Sequence, residues 1–370
     1  MKTKHNSVIL FANTLWFLQN FKRDLVEKIS EKNTVHLVYL AEGPPSEDIS
    51  KNCGKIRKSK LISTKGLGLI KQMLGTRATI LAFTIIPIYL TPFLFPLKAK
   101  SIATIEGLGR VFVSQRPRYR ILKQVTRIYY RFVFRIYYDY VCALNHADMN
   151  YLVQNMICGA ERLKYIPGTG VDTKLFDASL RRSRKEDEPI MVAFIGRMKP
   201  EKGVYTYTSL AEMFKELYPE LREKVKFKII TPKETIDKLS DGMMRYLLKT
   251  GVKLYPYSKD QTAVYRNIDA IVLPTQYGEG LSRVLLESAC MKIPVITTDN
   301  SGTRELISGK DYGYILNNPS NVVELAELLY KLINDKEGTK MRVERLHERV
   351  HRMFAMENSS DRVLKLIESE

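Results

Sequence analysis

Short apolar runs alternate with amphipathic helical stretches along almost the whole chain, and that alternation leaves few folds open. Ser7–Ala12 has the make-up of a buried strand, Trp16–Ile29 carries apolar residues at helical spacing, and Thr34–Leu40 is a second strand. Ser101–Ile105 and Tyr140–Leu144 are further strand candidates. Strands separated by helices imply a parallel sheet, and ligands then gather at the carboxyl ends of its strands. Asp177–Pro189 is polar, lacks an apolar period and reads as an interdomain linker. After it the alternation restarts: Ile190–Ile195 as strand, Val204–Leu217 as helix, Lys226–Ile230 as strand, then short strands at Val252–Leu254, Ala270–Leu273 and Pro294–Thr297. Val322–Ile333 and Val343–Ile367 are charged and helical. A chain of 370 residues accommodates two cores comfortably. The expected division is a first domain over 1–176, a linker over 177–189, a second domain over 190–345, and a C-terminal helix, 346–370, packing back on the first.

Charge separates the two halves. Residues 1–176 hold 27 Lys+Arg against 11 Asp+Glu, so +16 of the formal +19 lies there. A surface this basic suits nucleic acid, an anionic membrane or a phosphorylated substrate. Its densest stretch, Lys98–Tyr140, has ten Lys/Arg against Glu106 and Asp139, interleaved with nine tyrosines and phenylalanines. Such mixtures suit the lipid headgroup zone. They also suit an amphipathic helix with core aromatics and solvated arginines. Ala78–Leu97 is twenty residues without a charge, long enough to span a bilayer. Pro87, Pro92 and Pro96 argue against a continuous helix. A buried strand, Thr79–Ile86, followed by a short apolar helix fits better, with a re-entrant insertion as the competing reading. The 45% hydrophobic content excludes disorder as the default. Cys53, Cys142, Cys158 and Cys290 lack paired or metal-like spacing, as expected of a reducing compartment. Met1–His5 leads into a strand with no leader-like cleavage site.

Two segments carry chemistry. Val192–Ile195 runs as a strand into Gly196 and Arg197, and Lys202-Gly203 follows before a helix. Two cations beside a glycine turn and a helix N-terminus can neutralise a diphosphate without metal. No Asp-x-Asp occurs in the chain, so the usual acidic metal grip of nucleotide-sugar enzymes is missing. About eighty residues later the strand Ala270–Leu273 runs through Pro274 into Tyr277-Gly-Glu279-Gly-Leu-Ser-Arg-Val-Leu-Leu-Glu287. A glycine turn opening a helix presents backbone N–H groups to phosphate, and carboxylates beside it accept hydrogen bonds from sugar or ribose hydroxyls. In the first domain, Glu106 at a strand end and His146 after Leu144-Asn145 are candidates for an acceptor or sugar site. Asn13, after the first strand, is a candidate to bring its backbone near the donor phosphate. The remaining histidines form no metal-ligand constellation, so no metal is expected.

Gly196-Arg197 with Lys202-Gly203, Glu279-Gly-Leu-Ser-Arg-Val-Leu-Leu-Glu287, Pro294–Thr298 and Gly302–Glu305 together resemble the retaining glycosyltransferase family 4 over nearly the whole chain. Thr104–Gly109, Pro167–Asp172 and Asn13–Arg23 are similar to a bacterial branch that extends polyprenyl-diphosphate-linked oligosaccharides for surface polysaccharides and glycoproteins. The resemblance implies a GT-B fold, two Rossmann-like domains facing across a cleft, with acceptor bound by the first and donor by the second. It implies that Arg197 and Lys202 hold the donor diphosphate and that Glu287 accepts from ribose hydroxyls. Glu279 would face the transferred sugar, with Gly280, Leu281 and Ser282 offering backbone N–H groups. Ser282 stands where many members carry proline. The implied enzyme transfers a hexosyl or N-acetylhexosaminyl group, from a UDP-sugar that is substrate rather than cofactor, to a lipid-linked glycan with retention. It would work in the cytoplasm, peripheral on the cytoplasmic face of the inner membrane, and bind no nucleic acid. A GT-B-fold epimerase or phosphorylase is the alternative enzyme. A basic binding module would explain the charge but not Glu279 and Glu287.

Overall fold

The apolar runs pair as their alternation requires, into two separate parallel sheets. A computed structural model describes residues 7–43, 48–49, 55–61, 78–95, 100–108, 111–112, 117–258, 260–276, 280–307, 309 and 311–369. The chain forms two compact units, residues 1–170 with 356–370 and residues 171–355.

The first unit holds β1 (Ser7–Thr14), β2 (Thr34–Ala41), β3 (Ile56–Lys60), β4 (Ala78–Phe83), β5 (Lys100–Ile105), β6 (Tyr140–Ala143) and β7 (Leu163–Tyr165). Their order is β3-β2-β1-β4-β5-β6-β7, so the winding reverses between β1 and β4. Its helices are α1 (Leu15–Phe21), α2 (Arg23–Lys32), α3 (Ile85–Leu94), α4 (Pro117–Ile136) and α5 (His146–Gln154). The single helix expected over Trp16–Ile29 is broken at Lys22, whose backbone (φ −124, ψ 17) leaves helical geometry. The uncharged stretch Ala78–Leu97 is a strand with its inner positions buried, paired with β1 and β5, then the ten-residue α3. Among the described residues no helix is long and apolar enough to cross a membrane.

The second unit holds β8 (Ile190–Ile195), β9 (Val225–Thr231), β10 (Lys253–Pro256), β11 (Ala270–Leu273), β12 (Val295–Thr298) and β13 (Tyr314–Leu316). The order β10-β9-β8-β11-β12-β13 reverses between β8 and β11. All four residues of β11 and of β12 are buried, as strands covered on both faces must be. Its main helices are α6 (Val204–Leu217), α7 (Asp241–Thr250), α8 (Arg283–Cys290), α9 (Ser301–Leu306), α10 (Val322–Asn334) and α11 (Lys336–Met353).

Two boundaries differ from the sequence reading. The division falls after Gly170, and Phe176 is core of the second unit, edge-to-face with Tyr265 at 5.7 Å. Asp177–Pro189 is likewise no free linker. Arg181 donates to the Lys292 carbonyl at 2.7 Å and the Ile268 carbonyl at 3.0 Å, while Arg184 pairs with Asp269 at 3.7 Å. The segment is polar because it satisfies loop carbonyls and a carboxylate of the second unit. The last long helix also breaks, at buried Phe354, where the Val171 N–H donates to the Phe354 carbonyl at 3.0 Å. The chain then returns to the first unit as α12 (Met356–Glu368). Val363 enters that unit's core, Lys28 reaches Asp361 at 2.7 Å, and Ser359 donates to the Pro167 carbonyl at 3.1 Å.

Candidate functional site

In open parallel sheets the crevice at the reversal of winding, outside the strand carboxyl ends, is the place where ligands bind. The second unit puts both of its chemistry-bearing segments there, because β8 ends at Gly196–Gly203 and the adjacent β11 ends at the 274–287 segment. The two loops are tied together. The Gln276 N–H donates to the Glu201 carbonyl at 2.9 Å and Thr275 Oγ1 donates to the same carbonyl at 3.3 Å. Gly203, at φ +80 and ψ 21, caps the turn Pro200–Lys202 and opens α6. A Cβ there would lie 1.9 Å from the Pro274 carbonyl oxygen, so only glycine permits this approach. Lys202 is thereby fixed within one turn of the β11 loop, while Arg197 stands exposed just past β8.

Glu287 is buried on α8 and its carboxylate is held at both oxygens. Arg283, one turn earlier, reaches Oε1 at 2.8 Å, and the buried Tyr265 hydroxyl donates to Oε2. Each oxygen keeps a further lone pair for a ligand hydroxyl. Tyr257 lies near both Glu287 and Arg197. Enclosure of its hydroxyl, reinforced by the Glu287 carboxylate and opposed by Arg197, pushes this phenol up to about 12. Burial with the same carboxylate pushes Tyr265 well up. Leu281 packs on the core and Ser282 is the N-cap of α8, with its side chain making no capping bond. Gly280 is buried beside them. Tyr277, Gly278 and Glu279 lie outside the described residues. The expected segments thus converge at Gly196, Arg197, Lys202, Gly280, Leu281, Ser282 and Glu287. Tyr257 belongs to the loop Tyr255-Pro-Tyr257, which the sequence offers for base or sugar selectivity without a readable code. Arg283 and Tyr265 are additions from the structure, Arg283 readable as the i,i+4 cation to Glu287 and Tyr265 carried by a turn without a pattern.

The first unit has its own cavity of 380 Å³ at the matching reversal, between the ends of β1 and β4. Asn13, Thr84 and Glu106 line it among apolar walls from Ile85, Ile86, Ile88, Leu108, Phe112 and Tyr130. Asn13 Oδ1 and Thr84 Oγ1 are buried without a partner, and Thr84 holds a strained φ of +70. Lys22, placed inward by the break after α1, sits 2.8 Å from Glu106 Oε1 and 4.8 Å from the Phe83 ring centroid. This fixes the Glu106 carboxylate at the cavity wall. Asn13 and Glu106 are therefore brought together, by side chains rather than by the backbone. His146 is not with them: it is the first residue of α5, exposed and stacked on Tyr165 at 4.2 Å. Among the described residues no group of three or more His, Cys, Asp or Glu is arranged to hold a metal.

Known proteins match this chain in sequence and in fold. Residues 176–349 match the family described as glycosyl transferases group 1. The capsular polysaccharide biosynthesis glycosyltransferase CapM of Staphylococcus aureus is 26% identical over 151 residues, covering 40% of this chain and 38% of that protein. The N,N'-diacetylbacillosaminyl-diphospho-undecaprenol alpha-1,3-N-acetylgalactosaminyltransferase of Campylobacter jejuni is 22% identical over 243 residues, covering 63% of this chain and 61% of that protein. The chain thus aligns with less than two thirds of either relative. Among solved structures, Anabaena HepE in complex with UDP and glucose superposes with a TM-score of 0.76, 15% identity and coverage of 99% and 100% of the two chains. A glycosyltransferase from Rickettsia africae superposes at 0.72, with 13% identity and the same coverage. The two Rossmann-like units have the fold of GT-B glycosyltransferase structures, and residues 176–349 match the glycosyl transferases group 1 family.

Proposed function

We propose that this chain moves a hexosyl or N-acetylhexosaminyl group from a nucleotide sugar, a UDP-sugar, to a polyprenyl-diphosphate-linked glycan during bacterial surface glycan assembly. The observation that carries this is the junction of the β8 and β11 loops. It supports two cations, Arg197 and Lys202, beside a helix N-terminus and a buried carboxylate, Glu287, at one strand-end crevice. That combination suits a ligand with a diphosphate and vicinal hydroxyls together. The likeness to a lipid-linked N-acetylgalactosaminyltransferase and a capsule enzyme supports the acceptor class, and the UDP complex of HepE supports the donor class.

In this reading Arg197 and Lys202 stabilise the departing nucleoside diphosphate, and Glu287, steadied by Arg283 and Tyr265, accepts from the ribose. Glu279, placed by its motif alone, faces the transferred sugar with the N–H groups of Gly280, Leu281 and Ser282. As the anomeric carbon–phosphate oxygen bond breaks, the acceptor oxygen bonds to that carbon from the same face. Its proton passes to the leaving phosphate, and the anomeric configuration is retained. The fixed cations meet charge that grows only as the bond breaks, which is where binding accelerates a reaction. They take the place of a metal, so chelators leave turnover unchanged. The first-unit cavity, with Asn13 and Glu106 among apolar walls, takes the acceptor, and the basic first unit keeps the enzyme peripheral on the cytoplasmic membrane face. His146 lies off that cavity and has no role here.

The test is incubation with a panel of UDP- and GDP-sugars, followed by product analysis. Release of nucleoside diphosphate with sugar, or with an α-configured glycoside from an α-configured donor, is the expected outcome. An isomerised nucleotide sugar or a sugar 1-phosphate assigns an epimerase or phosphorylase instead.

A further inference from the structure

The apolar surface of helix α4 is wider than the core it packs on, and among the described residues only part of it is covered. Thr126, Tyr130, Val133 and Phe134 point into the first unit's core. On the opposite side Ile121, Val125, Ile128, Phe132 and Ile136 follow one another at spacings of three or four, which keeps them on one helix face. They are 71, 53, 70, 62 and 52% exposed. The stripe extends onto α3, where Tyr89 stacks on Tyr129 of α4 with centroids 4.3 Å apart, and Phe93, 78% exposed, lies 6.4 Å beyond. A surface helix in water presents a polar outer face, so an apolar stripe this long marks a contact.

The charges identify what makes that contact. All six ionisable side chains of α4 other than its tyrosines are cations: Arg118, Arg120, Lys123, Arg127, Arg131 and Arg135. Four of them, at 120, 127, 131 and 135, flank the stripe on one side by helical spacing. Arg131 is pinned there by bonds to the Met156 and Asn155 carbonyls, both at 2.9 Å. A second copy of this face would set these cations against their own kind. A partner that is apolar at its centre and anionic around it fits, and a helix of about 30 Å lying flat has that relation to a lipid bilayer.

We infer that the outer face of α4, with Phe93 of α3, docks the first unit in the plane of an anionic membrane surface. The docking stands on this face alone. Its purpose rests on the transfer reading: the same two helices wall the cavity through Ile85, Ile86, Ile88 and Tyr130, which sets an acceptor site beside the lipid that carries the acceptor. The tyrosines of the stretch are divided by this arrangement. Tyr130, Tyr137 and Tyr138 are core, and the aliphatic residues with Phe132 do the docking.

Flotation with vesicles tests it, using pure phosphatidylcholine and phosphatidylcholine with about one third phosphatidylglycerol. The protein is expected to float with the anionic vesicles and not with the neutral ones. Ile128→Ser with Phe132→Ser should lower that binding at least tenfold, roughly the effect of withdrawing two large apolar side chains. The variant should keep the parent's circular dichroism and its slow donor hydrolysis in solution. Equal binding by variant and parent, or no anionic binding by the parent, overturns the assignment. So does a parent dimer in sedimentation that the variant renders monomeric, since a second copy then covers the face. Loss of donor hydrolysis with vesicle binding intact would count against the transfer reading and leave the docking in place.

Discussion

Replacing Gly203 by alanine isolates the contact that joins the two halves of the proposed donor site. Two costs add at this position. A side chain at φ +80 incurs the left-handed penalty of about 1–2 kcal/mol. Its Cβ would also sit 1.9 Å from the Pro274 carbonyl oxygen, a backbone atom that must retreat by roughly 1.5 Å to reach ordinary contact. Overpacking of that kind costs about 1–3 kcal/mol, for a total near 2–5 kcal/mol. Gly251 is the internal control. It has a similar φ of +73, but its added Cβ meets only the Lys215 ammonium at 2.8 Å, the far end of a side chain that can shift from its bond to the Thr250 carbonyl without moving backbone. Gly251→Ala should therefore lose only about 1–2 kcal/mol in urea denaturation and turn over donor normally. Gly203→Ala should lose more and fall roughly 100-fold in kcat/KM, the usual effect of a misplacement near 1 Å. Equal destabilisation by the two substitutions, with normal turnover in both, would refute the claim that the Pro274 contact sets the position of Lys202.

Three further outcomes follow from the packing. Tyr265→Phe keeps the ring against Phe176 but strips a buried hydrogen bond from the Glu287 carboxylate; it should cost about 1.5–3 kcal/mol of stability and raise the KM for donor more than it lowers kcat, and unchanged KM would remove Glu287 from the donor site. Lys22→Met leaves Glu106 in a poorly solvated site without its cation and should destabilise by about 3–5 kcal/mol. Much of that loss should return when Glu106→Gln is added; no recovery in denaturation of the double variant would show that the pair is not coupled. Burial raises Asp148 from 3.8 to about 6. The folded state therefore keeps its proton more firmly than the unfolded state, and stability falls as pH climbs from about 4 through about 6. Asp148→Asn should stabilise at pH 8, by about 3 kcal/mol at most, and give no gain at pH 4; equal effects at both pH values would contradict the burial argument.

The second unit was readable because its punctuation is local. Gly196, Gly203 and Gly280 interrupt apolar runs at strand ends, and a sheet that reverses between β8 and β11 must bring those ends together. Edge elements were harder. β3, Ile56-Arg-Lys-Ser-Lys60, has the polar make-up of an edge strand and no apolar alternation. The break at Lys22 was hidden because apolar spacing continues through it, yet it turns the one cation of α1–α2 that becomes buried toward Glu106. Asp177–Pro189 looked like a linker since charge that satisfies carbonyls has the same composition as charge that meets water. For α4 the sequence offered core aromatics or membrane aromatics as rival readings. The fold buries Tyr130, Phe134, Tyr137 and Tyr138 and leaves Phe132 exposed, because the apolar arc of α4 is wider than the core it packs on and periodicity does not say which part is covered.

Arg197 and Lys202 are proposed as the diphosphate half of a nucleotide-sugar site. The most direct measurement is calorimetric titration of UDP into the parent, Arg197→Ala and Lys202→Ala, all in the presence of a chelator. The parent should bind without metal, and each variant should lose tenfold or more in affinity, about 1.4 kcal/mol or greater, with the circular dichroism unchanged. UDP affinity equal to the parent's in both variants would contradict the assignment.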